Sequence, residues 1–171
     1  MMRKFYSAFS MIVVAAIVTQ FYLAGVGLFS HQEEAGFAAH ATNGRMVLPI
    51  LFILSLILAA IAREGKRTIW YTALAILLLA FQTIIFILTG LIFGLGPETQ
   101  NVPFAAVAVV SLHVVNGLAV LFTASVIARR AFLLAFRTLP GVSDKKKDAA
   151  EPIADTDTDS DTDAEPATLA Q

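Results

Sequence analysis

The sequence contains no cysteine. Disulfides, thiolate chemistry, cysteine-based zinc sites and Cys-x-x-Cys-His haem attachment are therefore excluded. Charge is scarce too, at 15% of residues against about 25% in ordinary soluble domains, and much of it lies in one terminal stretch. No Asp or Glu falls within any of the long apolar runs. The intramembrane carboxylate relay on which proton-coupled pumps and transporters usually rely is thus missing. What the chain has in abundance is hydrocarbon: 57% of its residues are hydrophobic and the mean hydropathy is +0.75.

Four apolar runs stand out, and they predict helices over about 5–29, 36–62, 69–93 and 102–128 or longer. Each approaches or exceeds the ~20 residues that a helix needs to cross a ~30 Å hydrocarbon core. A single segment in lipid satisfies its own backbone polar groups only as a helix. The expected fold is an all-α integral membrane four-helix bundle within residues 1–137. Residues 138–171, an acidic Asp-x-Asp repeat nearly free of large apolar side chains, read as a disordered tail. The first run is too long for a signal-peptide core and lacks a small-residue cleavage site, so it reads as a retained span.

Of the 12 basic residues, 11 lie at the N-terminus, in the turn Arg63–Arg67 or after the fourth run; Arg45 stands apart. The positive-inside rule makes that side cytoplasmic. Both termini are then inside. Gly65 is the expected left-handed residue of the inner turn. Pro49, early in the second apolar run, is expected to kink that helix or end its first turn. The implied partners are the lipid bilayer and a membrane-complex partner or a second copy, with no nucleic acid.

The polar residues left in the spans are few. "HATNG" at 40–44 and "HVVNG" at 113–117 share the frame His-x-x-Asn-Gly. On a helix, residues four apart lie on one face, so Gly44 sits beside His40 and Gly117 beside His113. A glycine one turn from an imidazole leaves room for something flat, and a porphyrin meets that description. Gln20 and Gln82 could accept a hydrogen bond from the ring nitrogen not on iron. His40 and His113 are accordingly candidate axial ligands of a b-type haem, with Gly44 and Gly117 giving clearance and Gln20 and Gln82 supporting the ligands. A bland reading stands beside this one. Glycine stripes and lone His or Asn residues also serve ordinary helix packing. A quinone or small-solute pocket is a third possibility, and the residues themselves assign no catalytic role. His31, Glu33, Glu34 and His40 form a weaker candidate metal set at the outer surface.

At ~1.5 Å per residue, Gln20, Gln82 and His113 fall roughly 22–24 Å above the inner basic residues and His40 roughly 10 Å higher, whereas the two histidines become nearly level if Arg137 rather than Arg129 marks the inner surface. Each half of the chain also reads Gln, Gly, outer loop, His-x-x-Asn-Gly, which suggests two parallel two-helix repeats.

Through "QFYLAGVGLF…FAAHATNG" and "FQTIIFILTG…LHVVNG", roughly residues 5–136 resemble an uncharacterised family of small bacterial four-helix membrane proteins. More distantly, the same helices resemble one four-helix half of haem A synthase. That resemblance implies haem ligation from the second and fourth helices, at His40 and His113.

Overall fold

The computed structural model describes residues 1–30, 33–96, 99 and 101–136. The expected tail, 138–171, and the metal set containing His31 lie wholly or partly outside them. All described helices belong to one unit, Met1–Leu139. In chain order they are α1 (Met2–Phe29), α2 (Glu33–Thr42), a π turn (Asn43–Val47), α3 (Leu48–Ile61), α4 (Lys66–Phe93) and α5 (Phe104–Phe136), with no strand among the described residues. The second span is α2, the π turn and α3 taken together. Four stretches are long and apolar enough to cross a membrane: Met2–Phe29, Gly36–Ile61, Lys66–Phe93 and Phe104–Phe136.

The distribution of side chains is that of a protein in lipid. Tyr22, Leu28, Leu77, Leu91 and Phe122 are all at least 66% exposed, whereas Ser10, Ser55, Thr72 and Thr89 are no more than 2% exposed. A water-soluble bundle would have this reversed. The chain is an integral, multi-pass membrane protein. Its buried positions trace narrow seams three and four residues apart, as in Tyr6, Ser10, Val13 and Ile17 of α1 and Thr68, Thr72 and Ala75 of α4. Ala59, Ala75, Ala106 and Ala131 are wholly buried, so the backbones approach closely where lipid gives no hydrophobic drive to association. Buried hydroxyls turn back on their own helices, Ser10 to the Tyr6 carbonyl, Thr72 to Thr68 and Thr89 to Ile85.

Helix contacts run around a ring. α1 packs on both α5 and the second span, α4 packs on α5, and α3 closes the ring against α4. Only α3 does so, because neither α2 nor the π turn packs on α4. The second span therefore leaves α4 above Leu48. The divergence begins where the expected Pro49 defect lies. The helix neither stops nor breaks there, but widens, with the Leu48 N–H donating to the Asn43 carbonyl five residues back. Pro49 has no N–H to give Arg45, and its ring would press on that carbonyl in a regular turn; the wider turn relieves the contact.

The inner turn is tight. Arg63 has φ 54° and Gly65 φ 86°, so the left-handed region is used at the expected glycine and also at an arginine. Arg3 of α1 ties this turn down, donating to the carbonyls of Ala62 and Arg63 at the end of α3, where the helix dipole favours a cation. Glu64 lies beneath, 3% exposed, and neither of its carboxylate oxygens has a hydrogen-bond partner. Burial pushes its pKa up from the ordinary 4.5, against the opposing pull of Arg3 and Arg130.

A folded pKa above the unfolded one means the folded chain holds a proton that the unfolded chain has lost. This contribution is full below the ordinary 4.5 and is lost as pH rises through the raised folded value. Thermal unfolding in detergent between about pH 4 and pH 8 is expected to show Glu64→Gln flattening that decline, with a higher Tm than wild type at the upper end. An unchanged pH profile would show that Glu64 is solvated.

Candidate functional site

The sequence frames bring a polar residue from each of the four spans to one level of the bundle: Gln20 from α1, His40 from α2, Gln82 from α4 and His113 from α5. The two imidazoles meet edge to face, with ring centroids 6.1 Å apart and planes inclined by 64°. His40 is therefore not 10 Å higher than His113. The near-level placement is the one expected if the inner surface lies beyond Arg129, and α5 runs on past Arg129 and Arg130 to Phe136. An aromatic edge flanks each ring, Phe37 at 6.0 Å from His40 and Phe86 at 4.9 Å from His113.

Around Gln20 the hydrogen bonding is complete. The His40 Nδ1 lies 3.1 Å from the Gln20 backbone carbonyl, which only accepts, so Nδ1 carries the proton. His40 Nε2 then holds the lone pair and accepts from the Gln20 side-chain amide at 3.2 Å. The same amide nitrogen donates to the His40 carbonyl at 3.1 Å. Gln20 Oε1 accepts from Asn43 Nδ2 at 2.8 Å, and Asn43 Nδ2 also donates to the Ala16 carbonyl at 3.1 Å. The expected support of His40 by Gln20 is thus present in a different form: the backbone oxygen, not the side-chain oxygen, receives the ring N–H.

The second half repeats part of this pattern. Asn116 Nδ2 donates to the Leu78 carbonyl at 2.8 Å. Leu78 precedes Gln82 by four residues, as Ala16 precedes Gln20. Here the correspondence stops, because Gln82 Oε1 and His113 Nδ1 are buried without a hydrogen-bond partner. One half is closed and the other is left open.

The glycines make room for the glutamines. A Cβ on Gly44 would lie 2.7 Å from Gln20 Nε2; one on Gly117 would lie 3.3 Å from the tip of the Phe21 ring and 3.4 Å from Gln82 Nε2. Gly36 and Gly27 bring α1 and α2 together nearer the connection, where a Cβ on Gly36 would come within 3.1 Å of Gly27 Cα. Among the described residues, no three His, Asp or Glu side chains gather where they could hold a metal ion. Any metal here would rest on the two imidazoles and an equatorial ligand the chain does not supply.

Sequence reading left Asn43 and Asn116 out of the candidate site, but their bonds to α1 and α4 are those that the plain helix-packing reading of the frame's asparagines expects. It also passed over Glu64, which lies just outside the apolar runs, where nothing in the sequence tells a solvated turn from one folded inward.

Residues 20–92 match the model of a family of unknown function, DUF6220. The match takes in Gln20, His40, Asn43, Gly44 and Gln82 and ends before His113. No curated protein matches the chain, and no solved structure does, so the distant likeness to haem A synthase gains no support from them.

The asymmetry between halves gives a stability prediction. Gln20→Met leaves His40 Nε2 without its partner and takes one of the two acceptors from Asn43 Nδ2, and is expected to cost about 1–3 kcal/mol. Gln82→Met removes an oxygen with no partner and is expected to be neutral or slightly stabilising. Reversible unfolding in mixed micelles measures both, and equal costs would contradict the described network.

Proposed function

We propose that this membrane protein holds a b-type haem between His40 and His113, for electron transfer or haem handling within the bilayer. The observation that supports this most is the convergence of the two rings at 6.1 Å. Two imidazoles sharing one metal, each nitrogen ~2 Å from it, put their centroids roughly 6 Å apart. The His40 tautomer is also the one a ligand requires, with Nδ1–H held by a carbonyl and the lone pair on Nε2. The donor set is of the kind iron takes, while the Nε2 lone pair of His40 is engaged by the Gln20 amide. The room for a macrocycle beside them is filled by Gln20, Gln82 and Phe21, so binding requires these side chains to turn aside.

In this reading the roles of the chain's own residues follow from their contacts. The Gln20 carbonyl orients His40, while Phe37 and Phe86 limit the tilt of the two rings. The unpartnered Gln82 amide oxygen offers an acceptor to whatever enters. The exposed apolar faces of the spans keep water from the level of the rings. When bound, the haem supplies one-electron chemistry, its potential tuned by the axial pair and by burial. On the positive-inside rule, the basic end carrying Arg3, Arg63 and Arg130 is cytoplasmic, in a bacterial plasma membrane.

One observation favours a second reading. The circuit of Gln20, His40 and Asn43 is complete without any ligand. A haem-free accessory subunit of a membrane complex would use it simply as a clasp.

Absorbance of the protein purified in detergent, with haem supplied, separates the two. The haem reading expects a Soret band that shifts on dithionite reduction and is lost in His40→Ala and in His113→Ala, with helicity retained by circular dichroism. A protein that stays colourless after haem addition leaves the clasp.

A further inference from the structure

We propose that the cleft between the second span and α4 binds one anionic phospholipid, its phosphate held by Arg45 and an acyl chain laid along the cleft. This does not depend on the haem reading. The cleft opens where the second span leaves α4. It has a volume of about 360 Å³, with Pro49 and Phe52 on one wall and Ile76, Leu79 and Ala80 on the other. Gly44 and Arg45 line it as well.

Arg45 is what makes the cleft more than an apolar gap. It lies inside the apolar stretch Gly36–Ile61, roughly 24 Å along the helix from Ile61 at ~1.5 Å per residue. That is within the reach of a ~30 Å hydrocarbon core. It is exposed, and among the described residues it makes no ion pair and no hydrogen bond to another side chain. It is also the sole basic residue of the chain between Lys4 and Arg63. A guanidinium at this depth is costly without an anion. The long side chain reaches outward along its helix to the phosphate level, and the planar fork matches a phosphate in two-point contact. The π turn Asn43–Val47 carries Arg45, a placement common for irregular turns at sites of use. Apolar walls about two helical turns long, ending at one cation, match the two chemistries of a phospholipid and suit neither a bare anion nor a neutral hydrocarbon.

The test is native mass spectrometry of the full chain, stripped with detergent and then given phosphatidylglycerol, phosphatidylcholine or inorganic phosphate. Retention of one phosphatidylglycerol is expected, at least about tenfold weaker in Arg45→Gln. Ala80→Phe, which fills the cleft and leaves the charge, is expected to weaken it comparably, and Arg45→Lys to keep part of it. Circular dichroism checks that each variant is folded. Equal retention of phosphatidylcholine, displacement by inorganic phosphate, or folded variants that bind as wild type does would each overturn the proposal.

Discussion

Helix pairing in a bilayer gains little from excluding solvent, because hydrocarbon lies on both sides of the contact. What holds this bundle must therefore come from close backbone approach and from polar groups with nowhere else to go. The Gln20 side chain concentrates both. Its amide nitrogen meets a ring nitrogen and a carbonyl of His40, its oxygen meets Asn43, and it occupies the space left by Gly44. Gln20 thereby fixes the His40 ring at the α1–α2 interface, where Gly27 and Gly36 also bring the backbones together. The ring in turn sets the distance to His113 across the bundle. Lower down, alanines and back-bonded hydroxyls let the remaining contacts form without demanding partners.

The spans and the class of fold were legible because the sequence is close to binary: long apolar runs, short basic or mixed connections. The left-handed Gly65 was legible for the same local reason. Three features were not. The ring levels depend on where α5 meets the membrane boundary, and two arginines inside a continuous helix conceal it. Pro49 announces a defect but not its form, since a kink, a stop and a widened turn all answer the same missing N–H. The inward fold of Glu64 depends on Arg3, sixty-one residues earlier in the chain, reaching the end of α3. The candidate site was visible as a pair of repeated frames, but the sharing of roles was not: the two halves look equivalent in sequence and differ in hydrogen bonding.

The proposed function draws on that difference. A closed half fixes one imidazole in a defined tautomer and orientation. An open half leaves His113 Nδ1 and Gln82 Oε1 without a hydrogen-bond partner, at a cost in stability. The cleft beneath Arg45 expresses the same division of the second span. Below Leu48 it packs on α4, and above the π turn it leans toward α1 and leaves a wall of α4 to the lipid. The cleft follows from one local event, the widening of a helix ahead of a proline.

The dependence on Gln20 is tested most directly by a double-mutant cycle between Gln20 and Asn43, read by reversible unfolding in lipid micelles. The account predicts a coupling free energy of roughly 0.6–2 kcal/mol, the span measured for interhelical hydrogen bonds in membranes. Additive effects within about 0.3 kcal/mol would mean that the two amides do not meet, and that the imidazole pair is held by something else.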